Sequence, residues 1–345
     1  MRMAVALAIF FGSGEFLARR LDLVDRLNPT PRRLYEATDD PDLPYRLRPG
    51  VTTRLFVTVP VRINRAGLRD REIGATPPPG TTRILALGDS VTFGWVCPVE
   101  ASYPRLLERL LRRAGHRVEV LNGGVAGYDT VAEAAFLETV GLRLAPAVVL
   151  VQVNLNDFQP PPVINGLGVL SGGGERIAAW SPANWSEFYL LLRWIGVMVR
   201  VRVWLPGLPP VRAPDYRAAA ERLSNLDREM AARRAAFYRA PDPARWQRLE
   251  RGFATLAALG RAHAIRVIAW IQPDGTQLAG ADPDREPQRR LLGLCRAQGL
   301  ECLDLLDDLR AAGGLRLYND ASHPNAAGTK LIAHRLARAL GPELS

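Results

Sequence analysis

From about residue 82 onward, short apolar runs alternate with segments whose apolar residues recur at helical spacing. "RILALG" (83–88), "RVEVLNGG" (117–124), "AVVLVQV" (147–153), "RVIAWIQP" (266–273) and "LECLDLL" (300–306) read as five strands. The third is apolar on both faces, as a central parallel strand must be. Between them, "SYPRLLERLLRRAG" places apolar residues at 103, 106, 107, 110, 111 and 114, with Ser102 as N-cap and Gly115 as its stop. "TVAEAAFLETVG" opens with Thr130 and Glu133, spaced as a capping box. "EPQRRLLGLCRAQG" reads as a further helix, and the last helix begins after Pro324 and stops at Gly341-Pro342. Strands alternating with helices predict an α/β fold with a doubly wound parallel sheet, whose ligands bind at the carboxyl ends of the strands.

Two regions depart from this alternation. Residues 34–81 are expected to form a β-rich extension: "DPDLPYRLRPG" is turn-rich, "TRLFVTVPVRIN" reads as a strand or hairpin, and "TPPPGTT" is a stiff linker. The main domain is then 82–341, carrying an insertion at about 159–245. Within the insertion, "PPPVINGLGVLSGGGE" predicts a flexible loop and "AAAERLSNLDREMAARRAAFYRA" a charged, exposed helix. Between them, "SEFYLLLRWIGVMVRVRVWLP" is strongly apolar but contains Arg193, Arg200 and Arg202. Trp180, Trp185, Trp194 and Trp204 fall here and are candidates for stacking on sugars or for an interface with lipid. The plainer alternative is an extra helix beside the core.

The formal charge is +10, nearly all of it arginine, Lys330 being the single lysine. These arginines are scattered and match no reading motif, so they predict a solvated basic surface and no nucleic-acid partner. Cys97, Cys295 and Cys302 fit no zinc spacing and require no disulfide framework; Cys302 reads as a small core residue. Residues 1–20 open with an arginine and an apolar run that is short for a membrane span. They predict an anchor remnant or signal-like element, and so a membrane-associated or exported protein. The alternative is a packed helix in a cytoplasmic one.

The candidate chemistry lies where the apolar runs stop. Gly88-Asp89-Ser90 ends the first strand, Asn122 to Gly127 follows the second, Asn154 to Asp157 the third, and Asp320 to His323 precedes the last helix. A serine hydroxyl needs a base, and a histidine oriented by a carboxylate is the common solution. Of the four histidines, His116, His263 and His334 read as surface or packing residues. His323, three residues after Asp320, is the candidate base for Ser90. The Ser90 backbone N–H, the Gly127 backbone N–H and the Asn156 side chain are candidate oxyanion donors.

These four segments resemble the motifs of the SGNH hydrolases, the GDSL esterase/lipase superfamily. "ALGDSVTFGW" is similar to the family's first motif, "NGGVAGYDT" to its glycine motif, "NLND" to its asparagine motif with Asn154 in place of glycine, and Asp320, His323 and Pro324 to D-x-x-H-P. The resemblance covers about 82–158 and 264–341. It implies a flavodoxin-like three-layer sandwich on a five-stranded parallel sheet. It also implies ester hydrolysis or acyl transfer without metal or cofactor, with Ser90, Gly127, Asn156, Asp320 and His323 as site residues. An α/β-hydrolase elbow, G-x-S-x-G, is excluded because position 92 is threonine. The expected substrate is a small acyl ester, acetyl on a carbohydrate. An O-acyltransferase using the same site, or a non-catalytic envelope-assembly or binding protein on this fold, are the alternatives.

Overall fold

The computed structural model describes residues 2–27, 31–55, 59–95, 97–171, 181–192, 195, 224–279 and 282–344. Strands β1 (Tyr35–Ala37), β2 (Tyr45–Leu47), β3 (Thr52–Leu55) and β4 (Val59–Arg62) precede the main sheet. That sheet comprises β5 (Thr82–Leu87), β6 (Val118–Asn122), β7 (Val148–Val153), β10 (Arg266–Ile271) and β11 (Glu301–Asp304), with the short pair β8 (Val163–Ile164) and β9 (Leu170–Ser171) between β7 and β10. The described helices are α1 (Arg2–Arg20), α2 (Leu23–Leu27), α3 (Ser90–Phe93), α4 (Tyr103–Arg113), α5 (Thr130–Thr139), α6 (Ser224–Arg239), α7 (Pro243–Ala262), α8 (Gly275–Ala279), α9 (Glu286–Gln298), α10 (Leu306–Ala312) and α11 (Ala326–Leu340).

The sheet has the order β11-β10-β7-β5-β6, and every neighbouring pair is parallel. Alternation along each strand divides the core in two. Leu85, Leu87, Val149 and Val151 face a layer containing Phe136 of α5, Phe253 of α7 and Leu291 of α9. Ile84, Ala86, Leu150 and Trp270 face Leu107 of α4 and Ile332 and Leu336 of α11. This is the expected three-layer, flavodoxin-like arrangement. Its strand order reverses between β5 and β7, so the chain leaves those two strands on opposite sides and opens a crevice at their carboxyl ends. Ser90 follows β5, and Asn154 follows β7.

The β-rich extension joins the same core. Leu34, Tyr45, Leu47, Leu55 and Ile63 are buried with Leu85 and Phe136. The β3–β4 hairpin pairs Thr52 with Arg62 and Leu55 with Val59. The stretch read as turn-rich also holds β2, paired antiparallel with β1.

Four other expectations are corrected. Thr130 and Glu133 do not form a capping box. Asp129 is the N-cap, its carboxylate accepting from the Ala132 N–H at 2.9 Å, and both Glu133 carboxylate oxygens are buried without a hydrogen-bond partner among the described residues. Cys302 is not simply a core side chain, because the structure joins it to Cys295 as a disulfide. The predicted flexible loop contains the β8–β9 pair, closed by Asn165, whose Oδ1 accepts from the Leu167 and Val169 N–H groups. Helix α6 is not wholly exposed: Arg234, Phe237 and Tyr238 are buried, and Phe237 stacks on Phe158 at 3.8 Å. Trp180, Trp194, Trp204, Arg193, Arg200 and Arg202 lie outside the described residues.

Candidate active site

The turn after β5 explains why the strand ends in glycine, aspartate and serine. Gly88 has φ +152°, and a Cβ there would overlap Thr92 Oγ1 and lie 2.6 Å from Gln152 Oε1. Glycine alone satisfies both constraints. Asp89 then caps α3, accepting from the Val91 N–H at 2.9 Å. Its second oxygen accepts from Asn154 Nδ2 at 3.0 Å. Asn154 stands where the related motif has glycine, and its amide fastens the β7 loop to the residue before Ser90. Burial raises the Asp89 pKa, opposed by the Val91 N–H, the His323 charge and the Asn154 amide, and the net shift is upward.

Ser90 Oγ lies 2.8 Å from His323 Nε2. His323 Nδ1 lies 2.8 and 3.0 Å from the two Asp320 carboxylate oxygens. That carboxylate is itself fixed by the Ser322 N–H at 2.8 Å and the His323 N–H at 2.7 Å. An ionised carboxylate only accepts, so Nδ1 carries the proton and Nε2 is left to accept from the serine hydroxyl. Burial works to lower the His323 pKa, but the hydrogen bond to Asp320 and the charges of Asp320 and Asp89 outweigh it and raise it. Burial likewise works to raise Asp320, and the hydrogen bond and charge of His323 bring it below the usual carboxylate value. The arrangement can pass a proton from Ser90 to His323 while Asp320 holds the ring.

Gly127 and Asn156 sit on the loops after β6 and β7. Gly127 has φ +85°, and a Cβ there would lie 2.8 Å from Tyr45 Oη and 2.9 Å from Pro162. Tyr45 Oη donates to the Ala126 carbonyl at 2.8 Å, so the N-terminal extension braces the Gly127 loop. The Asn156 Oδ1 is buried without a hydrogen-bond partner among the described residues. No described hydrogen bond joins Gly127 or Asn156 to Ser90. A cavity of about 20 Å³ adjoins Ser90 and His323, walled by Val91, Trp95, Cys97, Pro324 and Thr329. Its enclosed part holds about one water-sized group, and the pocket opens to solvent beyond it.

Several residues that secure this site carry no motif. Arg69, fully buried, donates to the Phe93 carbonyl at 2.9 Å and the Gly94 carbonyl at 2.5 Å, and lies over the Phe93 ring. Burial lowers its pKa to about 10. Asp70 accepts from the Asn122 N–H at 2.9 Å. On the far side, Arg234 of α6 donates to Asp274 at 2.5 Å and to Ser322 Oγ at 3.1 Å. Gln272 donates to the Ser322 carbonyl. Gln272 and Asp274 follow β10 with polar residues, a signal of the same kind as those that mark the other loops. Nothing in the sequence around Arg234 distinguishes it from the many arginines nearby. Below the rim, Glu133 and Asp157 are fully buried. Burial first, then neighbouring carboxylates, pushes both pKa values far up.

The Arg234 charge depresses the His323 pKa. Arg234→Ala is therefore expected to move the acidic limb of the kcat/KM profile to higher pH and to lower kcat about tenfold, roughly 1.4 kcal/mol, with KM for a small ester unchanged. Arg234→Lys should restore most of the limb's position. A limb that does not move would leave Arg234 a packing role only.

Residues 86–256 match the model of the GDSL-like Lipase/Acylhydrolase family. That match includes Ser90, Gly127 and Asn156 and stops short of Asp320 and His323. A curated relative, "Arylesterase" of Vibrio mimicus, is 36% identical over 118 residues, which cover 31% of this chain and 59% of that protein. The chain thus spans less than two thirds of the length of the curated relative it matches. Among solved structures, the lipase/acylhydrolase from Enterococcus faecalis is similar with a TM-score of 0.43 at 15% identity, covering 76% of this chain and 97% of that one. The psychrotrophic esterase EstA from Pseudoalteromonas sp. has a TM-score of 0.42 at 14% identity, covering 76% and 98%.

Proposed function

We propose, from the match of residues 86–256 to the GDSL-like lipase/acylhydrolase family, that this protein belongs to that family and is a serine ester hydrolase that removes a small acyl group, acetyl above all, from a carbohydrate hydroxyl. The observation that carries the reading is the continuous relay from Asp320 through His323 to Ser90, with both key separations at 2.8 Å. Ser90 Oγ attacks the ester carbonyl while His323 Nε2 takes its proton. The developing oxyanion is held by the Ser90 and Gly127 N–H groups and the Asn156 amide. Collapse expels the alcohol, which receives the proton from His323, and water then releases the acyl group by the same steps in reverse. Asp320 stays ionised throughout and keeps the proton on Nδ1.

The small cavity beside Ser90 supports a short acyl chain. The His323 and Asp320 side chains remain 22% and 30% exposed, which favours an alcohol half that extends toward solvent, as a sugar does. The arylesterase relative supports ester chemistry and leaves the alcohol unassigned. A panel of p-nitrophenyl esters of increasing length, run beside acetylated xylan and acetylated monosaccharides, tests this. Turnover is expected to peak at acetyl to butyryl and to release acetate from the sugar esters. A peak at octanoyl or longer, or acetylated sugars left intact while aryl acetates turn over, overturns the substrate assignment.

A further inference from the structure

We propose that helix α1 and the segment 185–192, with Ile195, form one surface that docks on an anionic lipid bilayer. Within α1, Val5, Leu7, Phe10, Phe11 and Leu17 are exposed, along with Met3 at 78%, Ile9 at 63% and Phe16 at 66%. At about 100° per residue these positions cover more than half of the helix circumference. Trp185, Tyr189, Leu192 and Ile195 extend the apolar surface beyond α1.

The two parts are built as one unit. Glu15, the single acid in α1, accepts from Ser186 Oγ at 2.8 Å, the Phe188 N–H at 3.0 Å and the Glu187 N–H at 3.2 Å. Arg19 donates to Glu15 at 2.6 Å and to the Trp185 carbonyl at 2.6 Å. The Phe188 ring packs on Phe10 and Phe11 and against Gly14, where a Cβ would lie 2.5 Å from the ring. Ala18, Val24 and Leu191 are buried together, and Arg32 pairs with Asp22, Asp25 and Glu187. The helix acid is therefore engaged internally, while Arg2 and Arg20, at the two ends of α1, and Arg26 in α2 make no ion pair among the described residues. That pairing of apolar side chains with free arginines complements acyl chains beneath anionic headgroups. No described helix is long and apolar enough to cross a membrane.

The test is flotation of the full chain with vesicles of phosphatidylcholine alone or mixed with phosphatidylglycerol, folding being followed by circular dichroism. Binding is expected to be roughly tenfold or more tighter with phosphatidylglycerol, at about 1 kcal/mol per arginine near the surface, and to weaken with salt. Ile9→Glu with Phe16→Glu should abolish flotation with both vesicles. Arg20→Glu with Arg26→Glu should remove only the preference for phosphatidylglycerol. If the glutamate pair disturbs folding, Ile9→Ser with Phe16→Ser replaces it. A wild-type chain that stays unbound to both vesicles overturns the proposal. So does a dimer that buries this surface and persists when vesicles are added.

Discussion

Ser90→Ala is expected to lower kcat/KM for p-nitrophenyl acetate by on the order of 10⁴-fold or more, while the fold stays intact. The size follows from the role. Without Oγ there is no atom 2.8 Å from His323 Nε2 to attack the carbonyl, and only oxyanion donors and binding remain. The stability effect should be small, about 1 kcal/mol, because one hydrogen bond is lost at a partly exposed position. The Gly88 turn and the Asp89 cap that shape the loop are untouched. Circular dichroism and a denaturation curve, run beside the kinetics, separate loss of the nucleophile from loss of structure. Turnover within tenfold of wild type would remove Ser90 from the chemistry.

Asp320→Asn carries the second largest effect, a fall in kcat of roughly 10³- to 10⁴-fold. The amide can still accept from the Ser322 and His323 N–H groups, so the loop should hold its shape. It can also turn its NH₂ toward His323 Nδ1. That would move the ring proton to Nε2, leaving nothing to accept from Ser90. The pH profile has a definite sign. In the wild type, Asp320 helps hold the His323 pKa above its ordinary value. The base form is lost as pH falls through that raised value, and activity is lost with it. Removing the carboxylate charge lowers the pKa, so the residual activity of Asp320→Asn should persist to lower pH. An acidic limb that stays in place would show that some other group controls it.

How far the sequence disclosed this architecture depended on whether one residue type served one purpose. β5 and β7 are buried along nearly their whole length, and burial on both faces writes a mostly apolar run, broken by the buried Arg83 and Gln152. The serine, histidine and aspartate segments were legible because each interrupts such a run or precedes a helix with residues that packing does not require. Asp129 and Thr130 are both competent caps, and spacing alone favoured the wrong one. In the structure Asp129 is the cap, and Arg248 pairs with its other oxygen at 2.6 Å. Cys295 and Cys302 lie in a helix and the strand that follows, and only the return of the chain brings them together. Arg69, Tyr45 and Arg234 act by contacts 24 to 88 residues away in sequence, which no local pattern records. The Asn154 departure from the related motif became intelligible only once its amide was seen on Asp89.

The covalent intermediate provides the most direct test. Wild-type protein mixed briefly with p-nitrophenyl acetate, quenched in acid and digested, can be mapped for acetylation by mass spectrometry. The account predicts an acetyl group on the Ser90 hydroxyl, formed as nitrophenol is released and absent from Ser90→Ala. Acetyl on a different side chain, or steady turnover with Ser90 unmodified at every quench time, would contradict it.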